Sequence, residues 1–146
     1  MNIIVSAHSG LRYLVLLLLV VAIVNAIINR TSDKYEKKDK MINLFTMIVL
    51  HIQLVLGLIL YFTSDKVQFV SEMMSNSSLR FFDVEHPVLM ILAIILVTLG
   101  RKKAEKKALP RRKHQLILRY YLLGLVLIFI GIPWPFTHAN LGVGWF

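Results

Sequence analysis

Apolar residues run along this chain in four long blocks separated by polar stretches: Leu11 to Ile28, Met41 to Phe62, Val84 to Leu99 and Leu116 to Ile132. Each block approaches the ~20 residues that cross a hydrocarbon core ~30 Å thick. The apolar positions are continuous, not confined to one face, as expected for helices surrounded by lipid and by one another. A helix satisfies its backbone hydrogen bonds within one segment, so in lipid these blocks are read as helices, about residues 8–29, 41–63, 80–100 and 115–132. The fold expected is all-α: an integral membrane four-helix up-down bundle forming one transmembrane domain over residues 1–146. The third block is short unless its helix starts ahead of Pro87, with Ser78 or Asp83 as N-cap and the proline tolerated near the first turn. Between the second and third blocks, Val67 to Met74 is amphiphilic and suits a short interfacial helix. The run Gly131-Ile132-Pro133-Trp134-Pro135-Phe136 ends the fourth helix, and Trp134 and Trp145 suit the headgroup level.

Composition agrees: 57% of residues are hydrophobic and the mean hydropathy is +0.68, far from the balance of a soluble domain. Charge then sets direction, because loops retained in the cytoplasm collect lysine and arginine. Arg30, Lys34, Lys37, Lys38 and Lys40 follow the first block, and Arg101, Lys102, Lys103, Lys106, Lys107, Arg111, Arg112 and Lys113 follow the third. The loop from Ser64 to Asp83 has only Lys66 and Arg80 against Asp65, Glu72 and Asp83, and no lysine or arginine follows the fourth block. Both termini are therefore expected on the outer, periplasmic side of a bacterial inner membrane. The net charge of +9 is read as topology and contact with anionic headgroups, not as nucleic-acid binding. The first block ends near Val24-Asn25-Ala26, but no basic residue precedes it, so it is read as a retained span, not a signal peptide. With no cysteine, disulfides, thiolate-bound zinc, iron–sulfur clusters and covalent haem attachment are excluded.

Ionisable and strongly polar groups at membrane depth are costly, which makes His8, Arg12, His51, Gln53, Glu85 and His86 the residues to explain. His8 and Arg12 are four apart and share a helix face. His51 lies about 16 Å from the basic boundary at Lys40 and His86 about 22 Å from that at Arg101, a depth difference of only about 6 Å. A b-type haem is held in a helical bundle by histidines at comparable depth on opposite sides of the ring, so His51 and His86 form one candidate metal-ligating pair. Helices 1 and 3 are diagonal in an up-down bundle, so His8 with His86 is an equally buildable pair. Gly57, Ala93 and Gly124 are the small residues that would make room, and Arg12 and Arg80 the cations for propionates. Met90, one turn from His86, is a further possible ligand or simply packing. Glu85 is expected to orient His86 or to pair with Arg80. His114, among basic residues, and His138, in the C-terminal tail, are given no role.

Taken together, His8-Ser9-Gly10-Leu11-Arg12, His51-Ile52-Gln53 with Leu56-Gly57 and Leu60-Tyr61-Phe62, Arg80-Phe81-Phe82 with Glu85-His86, and Ile132-Pro133-Trp134-Pro135 resemble a small four-span family of Bacteroidetes often labelled cytochrome b-like. There is a looser similarity to cytochrome b561-type and haem A synthase-type bundles, from which this chain departs in having no histidine within the fourth membrane block. The resemblance implies membership of that family; the leading expectation from the residues is a haem b-binding membrane protein that passes electrons to or from quinone or a respiratory partner. The alternative expectation is a cofactor-free accessory subunit of a larger inner-membrane complex or a homo-oligomer. A proton relay through Glu85, His86 and His51 is the third. An electron carrier or subunit fits better than a stand-alone enzyme, because no nucleophile triad, phosphate loop or acidic pair is present.

The absence of native cysteine makes the topology directly testable. Membrane-impermeant maleimide applied to intact bacterial spheroplasts is expected to label Lys66→Cys and to label Lys107→Cys only after the membrane is permeabilised.

Overall fold

A computed structural model describes residues 3–136, and all regular structure among them is helical. Helix α1 spans Ile3–Ile28, α2 Lys37–Thr63, α3 Ser77–Glu105 and α4 Pro110–Gly131, each long and apolar enough to cross a membrane. The chain is a multi-pass membrane bundle. α1 packs on α2 and α4, and α3 packs on the same two, so α1 and α3 face each other across the diagonal as up-down connectivity requires. Trp145 and His138 lie outside the described residues.

The helices overrun the apolar blocks at both ends: α1 starts at Ile3 and α3 at Ser77, and at the basic end α2 starts at Lys37, α3 runs to Glu105 and α4 starts at Pro110. Backbone hydrogen bonding continues past the hydrocarbon boundary wherever the sequence favours helix, and charged helical turns project into the headgroup layer. The segment from Val67 to Met74 forms successive turns, Met73 N–H donating to the Val70 carbonyl at 3.1 Å, in place of the expected interfacial helix. The cap of α3 is Asn76, whose side chain accepts from the Ser78 and Leu79 amides at 2.9 and 3.2 Å. Ser78 lies within the helix it was expected to cap, and Asp83 lies further in.

Most of the core forms where α3 and α4 meet. Gly100 lies against the Cβ of Tyr120, and a Cβ on Gly124 would approach Val97 Cγ2 to 2.9 Å. Ala93, Val97 and Ala104 are fully enclosed there. Small residues let the two backbones approach, which is how helices associate in lipid without a hydrophobic drive. Val15, Leu19, Ala22 and Ala26 form the buried stripe of α1.

The basic end is closed by a polar network that ties all four helices. Asn25 of α1 donates to Asp39 Oδ1 of α2 at 2.8 Å. Tyr35, in the loop between them, donates to Glu105 Oε1 of α3 at 3.0 Å and accepts from Asn43 Nδ2 at 3.1 Å. Tyr121 of α4 donates to the Asn43 carbonyl at 2.9 Å. His114 is also buried; its Nε2–H donates to the Lys34 carbonyl at 3.1 Å and its ring meets that of Tyr35 edge-on at 5.1 Å. Hydrogen-bonded together, these groups fasten the α1–α2 loop over the bundle.

Burial pushes the Tyr35 phenol up from 10.0 to about 12; the Asn43 bond opposes the rise and Glu105 adds to it. A raised folded-state value stabilises the neutral phenol, so the contribution is complete below pH 10, the unfolded value, and fades as pH climbs through about 12. Tyr35→Phe is expected to cost about 1–2 kcal/mol by leaving its partners short of a bond. In detergent, thermal unfolding should fall by the same amount at mildly acidic and mildly alkaline pH, the deficit narrowing only above pH 10.

Candidate functional site

At the opposite end, proline decides where donors are missing and side chains restore them. Helix α3 opens with an α turn, Ser77–Arg80, followed by a π-helical turn, Phe81–Glu85, so that the His86 amide reaches back five residues to the Phe81 carbonyl. The wider turn changes the register at which the following residues face the bundle, a feature concentrated at functional sites. Pro87 has no N–H, so the Asp83 carbonyl four residues earlier loses its helical donor. Tyr61 of α2 replaces it, its hydroxyl donating to that carbonyl at 3.0 Å. The Asp83 carboxylate is itself buried and accepts from the Gln68 amide at 3.2 Å.

The same logic ends α4, whose last four carbonyls have no helical partners of their own. The Ile132 amide serves Ile128 at 2.9 Å. Pro133 cannot serve Phe129, and the Trp134 indole N–H does so at 2.9 Å. The Gly131 carbonyl is met by His86, whose Nδ1 lies 2.7 Å away and must donate, since a carbonyl only accepts. That bond fixes the His86 tautomer: Nδ1 holds the proton and Nε2 keeps a lone pair.

His8, on α1, comes to His86 across the diagonal. The two ring centroids are 6.3 Å apart and the planes cross at 75°. Gly57 of α2 makes this approach possible, since a Cβ there would stand 3.2 Å from His8 Cε1. Gln53, one turn earlier on α2, donates to the His8 carbonyl at 2.9 Å and holds α1 and α2 in register. The His8 Nδ1 atom is buried without a hydrogen-bond partner among the described residues. Phe81 is buried beside the pair, its ring 5.9 Å from that of His86.

The other expected residues lie elsewhere. His51 is half-buried, and its Nδ1–H donates to the Met47 carbonyl of its own helix at 2.7 Å. It borders a shallow apolar depression of about 300 Å³ with Met47, Ile48, Ile52 and Val55, all on α2. Arg12 donates to the Tyr13 hydroxyl at 2.9 Å and its guanidinium stands 5.9 Å from the Trp134 ring. Arg80 is held by Glu85, Nε to Oε1 at 2.7 Å, and by the Met74 carbonyl at 3.2 Å. Glu85 thus takes the Arg80 pairing and not the orienting role toward His86, which Gly131 fills. Met90 lies against Gly131. The sequence assigned Tyr61, Asp83 and Gly131 no role beside the histidines. Pro87 and Pro133, which strip the Asp83 and Phe129 carbonyls of helical donors, were the available signal.

The chemistry open to this end is that of two imidazoles. Among the described residues no group of three or more histidine, aspartate or glutamate side chains could hold a bare metal ion. A haem, which brings four ligands of its own, needs only two from the protein. The donor set fits that group: His86 has Nε2 uncommitted behind a backbone-anchored Nδ1–H, the usual arrangement of a ligating histidine, and His8 carries the orphaned nitrogen. The small residues expected to make room are already engaged: Gly57 by His8, and Gly124 by Val97 and the Ala93 carbonyl. Neither of two surface depressions, one beside His51 and one at the basic end, opens between His8 and His86.

No protein-family model, curated protein or solved structure matches the chain.

Replacing Tyr61 with phenylalanine strips the Asp83 carbonyl of its substitute donor at the turn that carries His86. The expected cost is about 1–3 kcal/mol, the penalty for a buried unsatisfied acceptor. It is measured by thermal unfolding in detergent, with Tyr13→Phe as a comparison.

Proposed function

We propose that this chain is a haem b-binding protein of the bacterial inner membrane, its basic end in the cytoplasm, that transfers electrons within or beside a quinone-linked respiratory complex. The observation that carries the reading is the convergence of His8 and His86 from diagonal helices, ring centroids 6.3 Å apart. Two histidines from diagonal helices at one level form the axial donor set of a bundle haem. His86 would ligate through Nε2, held in orientation by the Gly131 carbonyl, and His8 would be the second ligand. Arg12, one turn from His8 and bonded to Tyr13, and Arg80, paired with Glu85, are the arginines at this end that would turn to the propionates. When bound, the haem supplies the one-electron chemistry; the protein contributes ligation, an apolar surround and charge pairing. His51, on the outward face of α2, is not part of this pair.

One observation favours a second reading. The Nδ1 proton of His51 is committed to Met47, and its half-buried ring borders a shallow depression on α2 with exposed Ile48, Ile52 and Val55. A histidine bordering an open apolar depression in a membrane-spanning helix is suited to a partner on a neighbouring helix, as in a cofactor-free accessory subunit.

An oxidised-minus-reduced optical spectrum of the protein, purified in detergent from cells supplied with haem precursor, tests the first reading. A b-type spectrum is expected in the parent and in His51→Ala, and none in His8→Ala or His86→Ala. A colourless parent overturns haem binding and leaves the accessory-subunit reading, while loss of the spectrum in His51→Ala but not His8→Ala moves the second ligand to α2.

A further inference from the structure

The two helices that start at the basic end do so on opposite electrostatic terms. α2 begins with a capping box: the Glu36 side chain accepts the third amide of the helix, and Asp39 Oδ2 accepts the Glu36 amide at 2.7 Å. Two carboxylates thus meet the positive end of that helix. α4 begins Leu109-Pro110-Arg111-Arg112, with a leucine at the cap, no side-chain cap and no acid in its first turn. Its two guanidiniums add positive charge to an end that is already positive, the unfavourable arrangement.

Arg30 then brings a third guanidinium from the end of α1. Gln115 ties the segments together, its Nε2 donating to the Arg30 carbonyl at 3.3 Å and its Oε1 accepting from Arg112 Nη1 at 3.5 Å. Arg30, Arg111 and Arg112 line one depression of about 350 Å³ with Thr31, Leu109 and Gln115, and no carboxylate lines it. Among the described residues none of the three arginines is in an ion pair. The depression lies where α1 and α4 leave the apolar layer, which is headgroup level.

Three unneutralised guanidiniums lining one depression form a site for an anion, and arginine forks match phosphate oxygens in pairs. Leu109, half exposed on the rim, sets an apolar side chain beside the charge. The complementary ligand is therefore an anion that carries its own hydrocarbon. We propose that this depression binds the phosphodiester headgroup of an anionic phospholipid from the leaflet at the basic end. The inference requires only that the chain spans a bilayer, and stands whether or not haem is bound.

The test is native mass spectrometry of the full chain released from nanodiscs containing equal phosphatidylglycerol and phosphatidylcholine. Selective retention of phosphatidylglycerol is expected. Arg30→Gln with Arg111→Gln and Arg112→Gln should abolish the selectivity, whereas the charge-matched Lys102→Gln, Lys106→Gln, Lys107→Gln triple should retain most of it. Equal loss in both triples would reduce the effect to diffuse positive charge and overturn the site. Displacement of the lipid by inorganic phosphate at millimolar concentration, with no loss to added phosphatidylcholine, would reassign the depression to a soluble anion and overturn the lipid proposal. Should the glutamine triple not purify, Arg111→Lys with Arg112→Lys keeps the charge but removes the paired guanidinium geometry. Reduced retention in it supports the site, and parental retention overturns it.

Discussion

In hydrocarbon a backbone carbonyl without a donor has no water to turn to, and this constraint shapes the histidine-bearing end of the bundle. Pro87 and Pro133 each delete an N–H that a helical carbonyl would have used. The replacements come from side chains: Tyr61 for Asp83, Trp134 for Phe129 and, where α4 has run out of amides, His86 for Gly131. Because each replacement crosses between elements or folds back on the chain, local repair becomes tertiary structure. Tyr61 joins α2 to α3, and His86 joins α3 to the end of α4. The imidazole is thus fixed in position and tautomer by the same bond that finishes a helix.

The opposite end solves its polar problem differently. There the amide and carboxylate side chains, Asn25, Asp39, Asn43 and Glu105, are gathered around Tyr35 and Tyr121, and the α1–α2 loop closes over them. Between the two ends the close α3–α4 seam at Gly100 and Gly124 needs no polar group, because small residues let dispersion contacts hold it. The bundle is a seam with a polar clasp at one end and repaired helix termini at the other. The arginine-lined start of α4 is left outside that clasp, which is why its charge is unneutralised by the protein.

The spans were legible because twenty apolar residues have one common solution in lipid. Their ends were less so: hydropathy reports where the hydrocarbon begins, whereas a helix stops where its hydrogen bonding does, and Lys37 to Lys40 are charged yet helical. The candidate site was half legible. His8, His51 and His86 stood out as polar residues at depth, but depth estimates carry an uncertainty of several ångströms from tilt, and rotation about the helix axis was not readable at all. The π turn over Phe81–Glu85 inserts a residue that no hydrophobic period records, and it sets which way His86 faces. His114 and Asp39 sit among lysines and arginines, a setting usual for solvated surface, yet both are buried, because a loop folds over them. Nothing in local composition announces a loop that returns.

The helix-ending bond of His86 accounts for its Nδ1 in full, with or without a cofactor, so it does not by itself separate the two functional readings. His51 is also accounted for, since its Nδ1–H is satisfied within its own helix. His8 is different. Its ring is admitted by the missing side chain of Gly57 and brought against His86, yet its buried Nδ1 meets no donor or acceptor among the described residues. Helix capping and packing both leave that nitrogen unexplained, and a buried imidazole nitrogen left bare carries a desolvation cost that alanine or leucine at the same position would avoid. The weight of the functional question therefore rests on His8 more than on His51 or His86.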